Sequence, residues 1–234
     1  MDPKAIRTTA VYEGSVDPRV VSFTEPGSAA AEQFRLLHLR LDRLRVQRPL
    51  GVVALTSAVA GEGKTMTAAN LAACATRRGR RVALVDCDLR RPRIAAIFGL
   101  EDEGPGLATV LAGAAPIENA IRPGPERLAL VPAGEAHDDP GGLFAGDGLR
   151  RALDALRERF DEIYLDLPPA LPFADAMAAA GAADGVVVVV RNAETRAELV
   201  EEAVGCLQGA RLLGCVLTAC EEGAAAYRSY YRRR

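Results

Sequence analysis

The sequence predicts an α/β protein with a doubly wound, mostly parallel sheet and helices on both faces. Two observations lead to this prediction. Strands and helices alternate along most of the chain, and the strands are near-continuous runs of β-branched and aliphatic residues. A strand that is apolar on both sides must be covered on both sides, and the crossover helices of a parallel sheet provide that cover.

The predicted elements follow one another in the order that such a sheet needs. The predicted strands cover residues 52–56, 81–86, 163–166, 185–190 and 212–217. The predicted helices cover residues 29–46, 64–77, 149–160, 174–183 and 194–207. The first helix is amphipathic, because its leucines recur among arginines. The segment between the second strand and the third helix shows no clear period, so we expect irregular structure there.

The two ends of the chain differ in composition from its middle. Residues 1–27 mix proline, glycine, serine and charges without a period, which predicts a mobile arm. Residues 28–222 form the main domain in this interpretation, and residues 223–234 form a flexible tail rich in tyrosine. No internal repeat or long low-complexity tract interrupts the domain.

Composition limits the classes of function. The 234 residues carry a formal net charge of -2, so no overall basic character indicates nucleic acid as a partner. No apolar run approaches the roughly 20 residues that cross a bilayer, and no signal-peptide pattern opens the chain. We therefore expect a cytoplasmic protein. The 5 scattered cysteines lack a C-x-x-C pair, which favours reduced thiols over disulfides or a zinc site.

The segment from Thr56 to Thr65 has the pattern of a phosphate-binding loop. It follows a predicted strand, contains Gly61 and Gly63, and opens a predicted helix with Lys64. Glycines let backbone N–H groups surround phosphates, the lysine reaches the outer phosphates, and the threonine hydroxyl is placed for magnesium. Lys64 is one of only two lysines in the chain. The alternative is a strand-to-helix turn with accidental glycines. The predicted ATP-binding residues are Ala58, Ala60, Gly61, Glu62, Gly63, Lys64, Thr65, Met66 and Arg90.

Carboxylates follow two predicted strands at their carboxyl ends, where open α/β sheets bind ligands. Asp86 and Asp88 end the second strand with their side chains on the same side, and Asp166 ends the third. Any one of them alone is better explained as a helix cap or a turn residue. Together beside a phosphate-binding loop, they predict a site for Mg²⁺ with ATP.

The order of these motifs resembles the bacterial tyrosine kinases of capsule and exopolysaccharide synthesis, the CpsD/CapB family. The motifs are Ala58 to Thr65, Asp86-x-Asp88-x-Arg90 and Asp166-x-x-Pro169, and the likeness runs from about Glu25 to the end of the chain. The resemblance implies the P-loop NTPase fold of the MinD/ParA-like subgroup. It also implies transfer of phosphate from Mg-ATP to protein tyrosine.

The resemblance also implies roles for single residues. Lys64 would contact the β and γ phosphates, Thr65 would bind magnesium, and Asp166 would bind it through water. Asp86 would help to hold the metal, and either Asp86 or Asp88 would accept the proton of the tyrosine hydroxyl. Arg90 would contact phosphate or a neighbouring subunit.

The tail contains the predicted phosphate acceptors Tyr227, Tyr230 and Tyr231, interspersed with arginines. Members of the family phosphorylate such a cluster in trans, so the resemblance predicts an autokinase. The alternative is a basic tail that contacts a membrane or a partner, with the tyrosines as anchors.

The resemblance implies several partners. A separate membrane-spanning regulator of polysaccharide chain length would activate the kinase and recruit it to the inner face of the plasma membrane, and a phosphotyrosine phosphatase would reverse the reaction. A homo-oligomeric ring is also implied. Its usual Glu-x-x-Arg-x-x-Arg motif is altered here, since Glu32 and Arg35 are followed by His38. A histidine at that position predicts a weakened or pH-sensitive ring.

Two other functions remain open. A positioning ATPase of the partition and septum-site type would need a second lysine where Val59 stands. A catalytically weak ATP-binding scaffold of a polysaccharide export system would not need to retain all three carboxylates.

Overall fold

The computed structural model describes residues 12–101, 104–135 and 140–220. Within these ranges seven strands form one sheet. In chain order they are β1 (Val52–Ser57), β2 (Val82–Asp86), β3 (Arg122–Pro123), β4 (Leu128–Val131), β5 (Glu162–Asp166), β6 (Gly185–Arg191) and β7 (Leu212–Thr218).

Helices connect the strands and cover the sheet. They are α1 (Val21–Thr24), α2 (Ala29–Gln47), α3 (Lys64–Arg77), α4 (Ile94–Ile97), α5 (Leu107–Leu111), α6 (Pro140–Phe144), α7 (Gly148–Arg157), α8 (Ala174–Gly181) and α9 (Ala197–Cys206). Short 3₁₀ turns occur at Ile117–Ala120 and Pro125–Arg127. Across the described ranges, no helix combines the length and the apolar character needed to cross a bilayer.

The strand order is β3-β4-β2-β5-β1-β6-β7. Every neighbouring pair is parallel except β3 and β4, which are antiparallel. The predicted doubly wound, mostly parallel sheet is therefore confirmed. The register pairs Asp86 with Asp166 and Leu55 with Asp166, so the carboxyl ends of β2, β5 and β1 lie side by side.

Each face of the sheet carries its own apolar core. Along β1, Val52 and Ala54 pack into one core while Val53 and Leu55 pack into the other. The first core includes residues of α5 to α9, and the second includes residues of α2, α3 and α4. Strands flanked in this way must be apolar at every position, which is why β-branched runs mark them in the sequence.

The predicted helices and strands agree with the observed ones to within a few residues, but the middle of the chain is more regular than predicted. The missed strand β4 is the four-residue run Leu128–Val131, which is fully within the sheet and pairs with β2. A run of that length shows no measurable period, and Pro125 and Pro132 on either side suggest a loop. Pairing with β2 decides the structure of this segment.

Residues 12–27 correct the prediction of a mobile arm. Val20 is completely buried, and the amide of Ser22 donates a hydrogen bond to Asn70 Oδ1 at 2.9 Å. The amide of Asp17 donates to the carbonyl of Ile97, and the Tyr12 hydroxyl donates to the carbonyl of Phe98, each at 2.8 Å. Such single anchors have no sequence period, so the pattern did not reveal them. Residues 1–11 of the predicted arm lie outside the described residues.

Candidate active site

The phosphate-binding loop connects β1 to α3 at the carboxyl edge of the sheet. Gly61 and Gly63 have φ angles of 89° and 96°, a left-handed conformation that side chains with a Cβ atom rarely adopt. The second glycine directly precedes Lys64, the first residue of α3. The two glycines therefore create the turn that directs the loop amides and the helix N-terminus at one point, as a phosphate site requires.

Glu62 holds this loop to the neighbouring strands. Its carboxylate accepts hydrogen bonds from the amide of Val59 at 2.9 Å, from the amide of Arg191 at 3.4 Å and from the Thr195 hydroxyl. The Thr218 hydroxyl donates to the Glu62 carbonyl at 2.7 Å. Glu62 as a whole is 2% exposed, and its carboxylate is engaged within the protein, so the side chain is not free to contact a phosphate. A contact through the Glu62 amide stays a prediction.

Lys64 lies between two carboxylates. Its Nζ atom is 2.9 Å from Asp88 Oδ2 and 3.5 Å from Asp166 Oδ1. Burial alone would lower the pKa of Lys64, but the charges of Asp166 and Asp88 outweigh it and raise the pKa above its usual value. The ammonium group therefore stays charged at neutral pH, at the place where the phosphate-binding loop ends.

Both side-chain oxygens of Asp86 accept hydrogen bonds from backbone amides. Its Oδ1 atom accepts from the amide of Asp88 at 3.1 Å, and its Oδ2 atom accepts from the amides of Arg93 and Ile94, both at 2.9 Å. Complete burial and the nearby charge of Asp166 raise the pKa of Asp86 to about 7. Asp86 thus fixes the segment that follows β2, whereas Asp88 faces the cavity.

Asp166 offers an unused oxygen. Asp166 is fully buried, and its Oδ2 atom has no hydrogen-bond partner. Burial raises the pKa of Asp166, and the charge of Lys64 opposes that rise. Three carboxylates, one threonine hydroxyl and one lysine leave an excess of negative charge, which is the donor chemistry that a hard cation prefers. The residues present therefore fit a bound Mg²⁺.

A cavity of about 970 Å³ opens beside the loop. Its walls include most of the residues that the sequence singled out, namely Ala60, Gly61, Gly63, Lys64, Thr65, Met66, Asp88 and Arg90. Ala58, Glu62, Asp86 and Asp166 are buried and do not line it. Tyr227, Tyr230 and Tyr231 lie outside the described residues. The structure thus brings eight of the predicted residues to the wall of one cavity, and their roles stay a prediction.

On the outer wall, the predicted residue Arg90 lies beside residues that the sequence did not identify as functional. Arg90 Nε is 2.9 Å from Asp175 Oδ2, and the guanidinium lies 4.6 Å from the centre of the Phe173 ring. Arg91 and Arg93 line the same cavity. No local pattern connects Asp175 with Arg90, because the two lie 85 residues apart.

His38 does not lie where a subunit contact could reach it. It is completely buried, and its Nε2 atom is 3.1 Å from Glu162 Oε2. The prediction of a weakened or pH-sensitive ring placed His38 at a subunit contact, and that placement is wrong for a buried side chain. The ring itself stays a prediction. Glu32 and Arg35, the first two residues of that motif, are partly exposed and form an ion pair with each other.

The fold and the site define a nucleotide-binding protein of the P-loop class. Residues 53–229 match the model for the CobQ/CobB/MinD/ParA nucleotide binding domain. Tyrosine-protein kinase YwqD of Bacillus subtilis (strain 168) is 32% identical over 215 residues, which is 91% of this chain and 90% of that protein. This chain belongs to the bacterial tyrosine-protein kinases.

Two further comparisons agree with this family. The kinase domain of VpsO superposes with a TM-score of 0.73 and 31% identity, covering 82% of this chain and 97% of that one. The succinoglycan biosynthesis transport protein ExoP of Rhizobium meliloti (strain 1021) is 31% identical over 222 residues. That match covers 88% of this chain but only 28% of ExoP, so the similar region is a minor part of a longer protein.

Proposed function

We propose that this chain is an ATP-dependent protein-tyrosine autokinase that phosphorylates Tyr227, Tyr230 and Tyr231 of a second copy. The observation that carries the proposal is the position of Lys64, which joins the phosphate-binding loop to Asp88 and Asp166 at the wall of one cavity. Kinase relatives along almost the full length of the chain support the same conclusion.

The chain's own residues would position the triphosphate and balance its charge. The loop amides from Ala60 to Thr65 would bind the phosphates, and Lys64 would contact the β and γ groups. Thr65 and Asp166 would hold Mg²⁺, with Asp86 supporting them from the interior. When bound, the ion would neutralise charge on the phosphate oxygens. Positioning and electrostatics supply most of the catalysis in phosphoryl transfer.

Asp88 is the residue best placed to accept the proton of the tyrosine. The tyrosine oxygen would form a bond to the γ phosphorus while the bond from that phosphorus to the ADP oxygen breaks, and the hydroxyl proton would pass to the Asp88 carboxylate. Both carboxylates are engaged in this structure, Asp86 by backbone amides and Asp88 by Lys64 Nζ and the amide of Arg91. Only Asp88 lines the cavity, whereas Asp86 is completely buried. We therefore assign the base to Asp88.

The cellular role proposed here is control of capsule or exopolysaccharide synthesis and export. Similarity to ExoP, a transport protein by name, supports that role. In this proposal the chain acts in the cytoplasm and is brought to the inner face of the plasma membrane by a membrane-spanning regulator of chain length. A phosphotyrosine phosphatase would reset it, a homo-oligomer would allow transfer in trans, and nucleic acid would have no part.

The alternatives have specific weaknesses. A positioning ATPase would need a lysine at Val59, and this side chain instead lines the cavity as an apolar residue. A scaffold without catalysis would need no proton acceptor beside Lys64, yet Asp88 lies 2.9 Å from its ammonium. The kinase accounts for both residues.

The test is to incubate the purified full chain with Mg-ATP and map phosphate by intact mass and peptide sequencing. The cytosolic segment of the candidate membrane regulator is added in a parallel sample. Phosphate is expected on the tail tyrosines, and Lys64→Met should lower its rate of appearance at least about a hundredfold. ATP binding without tyrosine phosphorylation, even with the regulator segment, would favour the scaffold.

A further inference from the structure

Three arginines follow the two aspartates of β2, and their side chains surround the outer half of the cavity. Arg90, Arg91 and Arg93 all line it, next to Asp88. The inner half, from Ala60 to Met66, is accounted for by the triphosphate. In the proposed function the acceptor tyrosine reaches Asp88 through this outer half. Neither ATP binding nor proton transfer as described above needs Arg91 or Arg93.

The backbone that carries these arginines is tied to the active-site carboxylates. The amide of Arg91 donates to Asp88 Oδ1 at 3.0 Å, and the amide of Arg93 donates to Asp86 Oδ2 at 2.9 Å. Arg90 is braced from the opposite side by Asp175 and Phe173. The backbone of Arg91 and Arg93 is therefore fixed relative to the carboxylates, and the Arg90 side chain is fixed by Asp175.

The charge of this cluster is only partly balanced. Asp175 pairs with Arg90, but among residues 12–101, 104–135 and 140–220 neither Arg91 nor Arg93 has an acidic partner. Both are exposed. Other partly exposed arginines, such as Arg77 and Arg157, do pair with a carboxylate. Two unpaired guanidinium groups beside a phosphoryl-transfer site are suited to bind a second phosphate.

In the proposed function the tail approaches the arginine cluster. The tail is positively charged before phosphorylation, and each phosphate makes it more negative. Residues 223–234 contain four arginines and no acidic residue. The unmodified tail would therefore be repelled by the arginine cluster. Each phosphate would add about -1.5 to -2 charges and oxygens that accept bidentate hydrogen bonds from arginine.

We propose that Arg91 and Arg93, with Arg90 braced beside them, form a phosphotyrosine subsite that binds an already modified tyrosine of the tail and presents the next one to Asp88. This inference rests on the proposed function and adds an order in which the tail tyrosines are phosphorylated. The first transfer to a tail is slow because charge opposes it, and later transfers to the same tail are favoured.

The test measures binding without turnover. Full-length protein with Tyr227, Tyr230 and Tyr231 changed to phenylalanine is saturated with Mg-ADP, so that the phosphate-binding loop is occupied and its own tail stays unmodified. Fluorescence anisotropy then compares three labelled peptides of residues 223–234: unmodified, phosphorylated on Tyr230, and with glutamate at that position.

The phosphopeptide is expected to bind about tenfold more tightly than the unmodified peptide at low salt, with the preference falling as ionic strength rises. In the same background, Arg91→Ala with Arg93→Ala should reduce the preference to about twofold or less. Arg150→Ala removes an equally exposed arginine on α7, outside the cavity, and should keep the full preference. Thermal unfolding of each variant checks that the fold is intact.

Several outcomes would overturn the inference. They are no preference in the parent protein, an undiminished preference in the double variant, or equal binding of the glutamate peptide, which would indicate a general surface for acidic segments. Because no phosphoryl transfer is needed, the result is independent of the autokinase assay. A chain that binds the phosphopeptide as described but never phosphorylates tyrosine would refute the proposed function alone.

Discussion

Strand β5 carries a buried carboxylate at each end, and the two ends have opposite surroundings. At its amino end, Glu162 Oε2 accepts hydrogen bonds from the Tyr164 hydroxyl at 2.7 Å and from Arg45 at 2.8 Å, and it lies 3.1 Å from His38 Nε2. Burial alone would raise the pKa of Glu162, but these partners outweigh it and lower the pKa below its usual range. The neighbours of Oε2 therefore stabilise the charged form of Glu162, while Oε1 accepts no hydrogen bond and lies 3.6 Å from Arg80 Nε.

At the carboxyl end, Asp166 has one cationic neighbour, Lys64, which it shares with Asp88. Burial raises the pKa of Asp166 despite that neighbour, and the pKa of Asp86 is raised as well. Three carboxylates face one ammonium here, whereas Glu162 and Asp42 at the other end face three arginines, Arg45, Arg78 and Arg80.

The difference distinguishes a cluster built for stability from one built for function. In the Glu162 cluster, arginines of the same chain balance the negative charge. The cluster at the carboxyl end keeps uncompensated negative charge in the interior, which costs folding free energy and is retained where a cation and a substrate complete it. The comparison predicts that substitutions at the amino end change stability and that substitutions at the carboxyl end change catalysis.

The largest effect is expected from Asp88→Asn. An amide cannot take the tyrosine proton, so kcat for tail phosphorylation should fall by about 10²–10⁴-fold. Binding of Mg-ADP should stay within about threefold, because the positive charge of Lys64 remains. Steady-state kinetics and calorimetry measure the two quantities. Asp147→Asn, at an exposed acid on the surface, is the matched control, and a kcat for Asp88→Asn within tenfold of wild type would remove Asp88 from the mechanism.

Glu162→Ala tests the other end of the strand. It leaves His38, Arg45 and Tyr164 without their shared acceptor, so the free energy of unfolding should fall by about 3–5 kcal/mol. Urea unfolding measures the loss, with Glu126→Ala as the control at a half-exposed ion pair. Activity per folded molecule should not change. A loss below about 1 kcal/mol would contradict the view that this cluster stabilises the fold.

Asp86→Asn sharpens the comparison through pH. The folded protein keeps the Asp86 proton up to about pH 7, whereas the unfolded chain loses it near pH 3.8, so the native state binds more protons between these values. Stability from this group therefore falls as pH rises through that window, by up to about 4 kcal/mol. In the variant, the free energy of unfolding measured with urea should fall less between pH 4 and pH 7 than it does in the wild type. An unchanged slope would mean that Asp86 is ionised throughout.

The smallest effect is expected from Asp175→Ala. Loss of the carboxylate frees Arg90 to leave its place over Phe173, so kcat/KM for tail peptides should fall by about three- to tenfold, mainly through KM. Steady-state kinetics with a synthetic tail peptide separates KM from kcat. A fall confined to kcat would place Arg90 in the chemical step instead.

The sequence predicted the carboxyl end of β5 far better than the amino end, for a physical reason. Lys64, Asp86, Asp88 and Asp166 stand at strand ends beside a recognisable loop, and parallel strands bring such ends together. The Glu162 cluster joins residues of α2, of β5 and of the turn after α3 through tertiary packing, and no spacing encodes it. His38 was therefore interpreted as a surface residue although it is an interior one.

The outer wall of the cavity shows the same limit. The bond between Arg90 and Asp175 connects the segments after β2 and after β5, and it depends on the crossover between distant strands. Docking of residues 12–27 likewise depends on contacts with Asn70 and Ile97. The local sequence pattern predicts the helices, the strands and the chemistry of the loop, whereas the remaining features depend on contacts between distant segments.

The central claim is that uncompensated charge at the carboxyl end of β5 is completed by Mg²⁺ and nucleotide. Its most direct test is the Mg²⁺ dependence of ADP affinity, measured by calorimetry for the wild type, Asp166→Asn and Glu162→Gln. The account predicts that Mg²⁺ tightens ADP binding at least about tenfold in the wild type and in Glu162→Gln, and by less than about twofold in Asp166→Asn. A full Mg²⁺ effect in Asp166→Asn would contradict it.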